Sequence, residues 1–159
     1  MVGSILIKLA FVTCLLSVAL YFQTHLRSDD RLLKWARIFF HATVVSVMVT
    51  SAALLYLILT HQFQFSYVWS YSGRELSLPL LISTFYAGQE GSFLLWTLFT
   101  SLIGVFLLQD SSKKGYEPQV MTVYGLIELF LLLMLLVKNP FSYVWETWVG
   151  QVEAGFTPP

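Results

Sequence analysis

The chain has 159 residues, of which 57% are hydrophobic, 16% aromatic and only 11% charged, with nine basic and nine acidic side chains. A soluble domain carries about 25% charged residues, so this composition excludes an ordinary soluble fold and points to lipid as the solvent. No basic stripe or arginine-rich arm is present, which argues against a nucleic-acid partner, and the single cysteine, Cys14, allows neither an internal disulfide nor a zinc-type cluster.

The first apolar run, 5–22, contains Cys14, which reads as a small buried hydrophobe. Only Lys8 precedes most of its length, so it lacks the basic start of a cleavable signal peptide. Three more runs follow, at 38–60, 92–108 and 120–137. At about 1.5 Å per residue each approaches the roughly 30 Å of the hydrocarbon layer. Short links between them predict one all-α integral membrane domain, 1–159, with four transmembrane helices in an antiparallel bundle.

Charge then orients the bundle. Arg27, Arg31, Lys34 and Arg37 follow the first run, and Lys113 and Lys114 follow the third. Lys8, Arg74 and Lys138 belong to the opposite side. The positive-inside rule places the two basic links in the cytoplasm and both termini outside. Those basic links, "RSDDRLLKWAR" and "QDSSKKGYEP", read as ordinary connectors.

The outward link is the unusual one: "HQFQFSYVWSYSGRELSLPLLISTFYAGQEGS". Five aromatics fall between Phe63 and Tyr71. The piece 78–87 is apolar but too short to span, so it predicts an interfacial helix on the outward face, with Ser77 and Pro79 as its start. Gly88 and Gly91 then allow a tight turn into the third spanning helix, which places Glu90 at that helix's N-terminus beside Ser92 as a capping residue. A carboxylate there is stabilised by the helix dipole, typically by about 0.3–1 kcal/mol; a functional role for the aromatic, glycine-punctuated string remains open beside that structural one.

The fourth run holds Glu128, the one ionisable residue deep in a predicted span. Tyr124 and Gly125 share its face, so the phenol is the expected partner and the glycine the expected point of close helix approach. A neutral acid that specifies packing and a proton-relay role both fit. Asn139-Pro140 stops the helix. The outward aromatic tail, 138–159, follows, with Phe141, Tyr143, Trp145 and Trp148 as belt residues. His25, His41 and His61 are the haem-ligand types present, but their positions along the helices predict no axial pair. His41 is expected to be hydrogen-bonded within the bundle or to extend toward the cytoplasmic face. No metal site is predicted.

The string "YSGRELSLPLLISTFYAGQEGSFLLW", followed a helix later by "NPF", resembles the N-terminal part of the cytochrome c maturation protein F (CcmF) family, haem lyases of bacterial cytochrome c biogenesis. The resemblance rests on Leu78-Pro79, on Gly88, Glu90, Gly91, Ser92, Leu94, Leu95 and Trp96, and on Asn139, Pro140 and Phe141. Gln89 stands where many members have histidine. The resemblance implies a multi-pass protein of the bacterial inner membrane. Its family receives haem from a periplasmic haem chaperone, works with other cytochrome c maturation proteins, and joins haem to apocytochrome c. The family's tryptophan-rich segment is absent: Trp35, Trp69, Trp96, Trp145 and Trp148 form no such string. The chain is therefore expected to be the N-terminal piece of a longer or split protein, a scaffold and outward docking surface that is not catalytic and binds no haem alone. The alternative is a small non-enzymatic membrane subunit of a transporter or respiratory complex, with Glu128 as its ion or proton site.

Overall fold

The computed structural model describes residues 2–147. Its described elements are all helical: α1 (Val2–Arg27), α2 (Asp30–Leu59), α3 (Ser66–Tyr71), α4 (Leu78–Ser83), a 3₁₀ turn (Thr84–Tyr86), α5 (Gln89–Lys114), α6 (Glu117–Val137) and α7 (Val144–Thr147). Four of them, α1, α2, α5 and α6, are long and apolar enough to cross a membrane.

All four exceed the apolar runs that predict them, chiefly at the basic end. α2 begins at Asp30, where the Asp29 carboxylate accepts from the Arg31 N–H at 2.8 Å, and α5 continues to Lys114 before Gly115 closes it in the left-handed region (φ 79°). Hydropathy measures the stretch that lipid accepts, whereas capping decides where the helix stops. Most of the predicted polar link after α1 is thus the first two turns of α2. The tail residues Trp148 to Pro159 lie outside the described residues.

The spanning helices bury small and polar residues among larger apolar ones such as Tyr21, Leu54 and Leu132, and turn many other bulky side chains outward. α1 buries Gly3, Ala10, Thr13, Cys14 and Ser17, while Leu9, Val12 and Leu16 are exposed. On α5 the buried stripe includes Gly91, Thr97, Ser101, Gly104 and Ser111, and Trp96, Phe99, Ile103 and Phe106 face out. The bulky apolar residues left exposed suit a lipid surround, where small residues let backbones approach and large apolar ones meet acyl chains. Hydroxyls on the stripes mostly bond their own helix, as Thr97 does to the Phe93 carbonyl at 2.7 Å.

Specific pairings set the order of the helices. α1 meets α2 through Thr13 and Thr43, whose hydroxyls are 2.9 Å apart, and through Ser17, which donates to the Ala36 carbonyl at 3.0 Å. It meets α6 through the Cys14 thiol, which donates to the Gly125 carbonyl at 3.6 Å. Tyr124 of α6 donates to the Thr100 carbonyl of α5 at 2.8 Å.

At one end the junctions of α1 with α2 and of α5 with α6 are fastened together. The Arg37 guanidinium donates to both Glu117 oxygens, at 2.8 and 2.5 Å, and to the Ser112 hydroxyl at 2.9 Å. The Tyr21 hydroxyl donates to Glu117 at 3.2 Å. One buried carboxylate therefore gathers a side chain from α1, α2 and α5 onto α6.

At the other end Asn139 follows α6; its amide donates to the Ser4 hydroxyl at 2.8 Å and its side-chain oxygen accepts from the Phe141 N–H at 3.0 Å. Phe141 is buried against Gly3. It packs the bundle's end, in contrast to the belt position that its place in the tail predicts.

Candidate functional site

The string between α2 and α5 folds around Tyr67. α3 carries this side chain beneath the turn that joins the 3₁₀ segment to α5. Its hydroxyl donates toward the carbonyls of Thr84 (2.9 Å) and Phe85 (3.0 Å) and accepts from the Gly88 N–H at 3.1 Å. Tyr67 is buried, and that burial pushes its phenol up to about 12, so it remains a neutral donor.

The glycines of the string answer to this ring. A β-carbon on Gly88 would lie 2.5 Å from the Tyr71 ring and 2.8 Å from the Tyr67 ring. One on Gly91 would overlap the Phe85 carbonyl oxygen and the Tyr67 hydroxyl. Both positions need glycine for close approach.

Glu90 sits in the first turn of α5, whose N-cap is Gly88. Ser92, predicted to cap beside it, instead donates to the Tyr86 carbonyl at 2.9 Å. Ser77 precedes α4 without a side-chain cap bond, and Pro79 lies in that helix's first turn. Trp96 is exposed on α5, two turns below the hairpin. Glu90, Tyr67, Tyr71, Lys138, Asn139 and Pro140 line one cleft of about 300 Å³. The tertiary fold thus brings the two halves of the motif, Gly88–Ser92 and Asn139–Phe141, to the same end of the bundle.

Rings assemble beside this cleft. Phe65 stacks on Tyr143 at 5.0 Å, and Tyr143 stacks on Trp145 at 4.3 Å. Backbone bonds hold the two segments, Ser66 N–H to the Ser142 carbonyl at 2.9 Å and Val144 N–H to the Gln64 carbonyl at 3.1 Å.

The histidines do not meet. His25 lies in the last turn of α1, and His61 follows the far end of α2. His41 is three turns into α2, because that helix begins at Asp30, not one turn in as the apolar run implies; its Nδ1 is 2.8 Å from the Arg37 carbonyl. Thr43 faces Thr13, so His41 stands about ten residues, or about 15 Å, from the level of His25. No two of the three can serve as an axial pair for a haem iron.

Glu128 is fully buried in the middle of α6. Its partner is the Ser101 hydroxyl of α5, which donates to Oε1. Tyr124, the predicted partner, spends its hydroxyl on the Thr100 carbonyl instead. Gly125 faces Val18 of α1, with space for no β-carbon: one would stand 2.6 Å from Val18 Cγ2. Two features escape sequence reasoning: the Tyr67 hub, hidden among five aromatics, and the Arg37–Glu117 pair, whose members lie in links that read as ordinary connectors.

No family model matches the chain. Among curated proteins it is similar to the cytochrome c-type biogenesis protein CcmF of Escherichia coli (strain K12), 28% identical over 119 residues, covering 73% of this chain and 18% of that protein. CcmF of Pseudomonas fluorescens is 35% identical over 95 residues, covering 56% of this chain and 14% of that protein. The chain thus spans less than a fifth of the length of the curated relatives it matches. A solved structure of the cytochrome c heme lyase CcmF has a similar fold, with a TM-score of 0.81 at 26% identity, covering 95% of this chain and 26% of that one. Sequence and fold agree in relating this chain to the N-terminal part of CcmF.

Proposed function

We propose that this chain works in cytochrome c maturation, as a membrane scaffold and outward docking surface within a haem lyase. The observation that carries the reading is the fold likeness to a heme lyase over 95% of the chain, with the glycine–glutamate string folded at one end of the bundle.

Reversed numbering supports an antiparallel bundle: Thr13 and Ser17 meet Thr43 and Ala36, and Cys14 and Tyr21 meet Gly125 and Glu117. Arg27, Arg31, Lys34, Arg37, Lys113 and Lys114 gather at the end fastened by Glu117, which supports placing that end in the cytoplasm and both termini outside. On α4, Leu78, Leu80 and Ile82 are exposed, as suits a helix lying in the outer interface of a bacterial inner membrane.

In this reading the Tyr67 hairpin, Glu90 and the Phe65–Tyr143–Trp145 stack form the outward surface. Its partners are those of the whole assembly: a haem chaperone, other maturation proteins and apocytochrome c. Haem belongs to the assembly, because the three histidines offer no axial pair. The chain's contribution is positional, holding a surface at a fixed height above the bundle.

The test is genetic. Removing the chain from its own host should abolish covalent haem on c-type cytochromes while leaving non-covalent haem proteins intact. Normal haem staining of denatured c-type cytochromes in that strain would sink the proposal.

A further inference from the structure

We propose that Glu128 is a proton-binding site at the centre of the bundle, a neutral acid at neutral pH whose proton exchanges with solvent. Glu128 has no exposed surface and stands eleven residues along α6 from Glu117, about 16 Å toward the middle of the membrane. Oε1 accepts the Ser101 hydroxyl, and Oε2 has no hydrogen-bond partner among the described residues. His61 Nδ1 and Ser72 Oγ are also without one, but both lie in the outward link, so Glu128 Oε2 is alone among them in belonging to a spanning helix.

The groups that face it are all neutral and mostly committed. From α1 comes the Cys14 thiol, bonded to the Gly125 carbonyl. From α5 comes the Ser101 hydroxyl, with Thr97 one turn away on the same buried stripe and bonded to Phe93. On α6 itself the Tyr124 hydroxyl is held by Thr100. The ion pairs among the described residues are Arg37–Glu117 and Lys114–Asp110, so no cation is spent on Glu128.

A carboxylate in this place would have one donor for two oxygens and no counter-charge in a medium that solvates charge poorly. The carboxylic acid fits better: Oε1, as the carbonyl oxygen, takes the Ser101 proton, and Oε2 carries the bound one. Among the described residues that Oε2–H has no acceptor. Its exchange therefore runs through a water molecule that enters the bundle, takes the proton to leave a carboxylate and hydronium, and returns it by the reverse step. An acid that only specified packing would hold its proton in a closed hydrogen bond. This inference is independent of the maturation role.

The test is infrared spectroscopy of the whole chain in lipid nanodiscs, over a pH series in light and heavy water. The expected result is a protonated-carboxyl stretch at neutral pH that is absent in Glu128→Gln, shifts in heavy water, and gives way to a carboxylate band at alkaline pH. Ser101→Ala should move the stretch to higher frequency, because the carbonyl oxygen loses its donor. Should Glu128→Gln fail to fold, Ser101→Ala and ¹³C-glutamate labelling of the wild-type chain identify the same band. Only carboxylate at neutral pH, or an acid band indifferent to both heavy water and pH, would overturn the proposal.

Discussion

Gly91 and Tyr67 touch so closely that any side chain on Gly91 would occupy the space of the tyrosine hydroxyl. The same hydroxyl bridges the carbonyls of Thr84 and Phe85 and the N–H of Gly88. The turn into α5 is thereby closed from beneath by one residue that is distant in sequence. This contact ties the shape of this end of the bundle to the glycine pattern on which the family resemblance rests.

Gly91→Ala should therefore destabilise the chain, because the new methyl meets the Phe85 backbone as well as the tyrosine. Overpacking of this kind costs about 1–3 kcal/mol. The measurement is the unfolding midpoint in detergent, with Gly73→Ala as the control, since a β-carbon there comes no nearer than 3.9 Å to Leu76. Equal midpoints for the two variants would refute the contact.

Tyr67→Phe keeps the ring and removes the bridge. Leaving the buried Gly88 N–H without its acceptor should cost about 1–3 kcal/mol and speed hydrogen exchange at that amide. A pH signature accompanies it. The phenol is raised by burial from 10.0 to about 12, so between those values the unfolded chain has released a proton that the folded chain keeps. Stability from this residue is complete below pH 10 and falls as pH rises toward 12. The wild-type chain should lose stability across that window and Tyr67→Phe should lose less; parallel curves would contradict the assignment.

Glu117→Gln should loosen the end of the bundle where Arg37, Ser112 and Tyr21 converge. Breaking a buried pair costs roughly 3–5 kcal/mol; Arg37 is 38% exposed, which places the effect at the low end of that range. A double-mutant cycle with Arg37→Gln isolates the coupling, and a cycle showing none would mean that solvent screens the pair.

Much of this architecture is legible in the sequence. Four apolar runs announce four spanning-length helices, because only continuous apolar surface is stable in hydrocarbon, and the string from Gly88 to Trp96 announces the start of α5. The ends of the helices are less legible. Arg31, Lys34 and Arg37 read as a link by polarity yet belong to α2, since a helix capped by Asp29 continues into water without penalty.

The partners of polar residues were decided elsewhere. Periodicity along α6 offers Tyr124 as the companion of Glu128, being one turn away on the same face. The neighbouring helix supplies Ser101 instead, and Tyr124 reaches across to Thr100. Likewise nothing in the spacing of Tyr21, Arg37, Ser112 and Glu117 announces that they converge. Composition and periodicity determine which segments enter the membrane and which face of each is small enough to bury. Only the packed bundle determines which buried hydroxyl, carboxylate and glycine meet. Such meetings depend on the rotation and depth of one helix against another, and local sequence encodes neither.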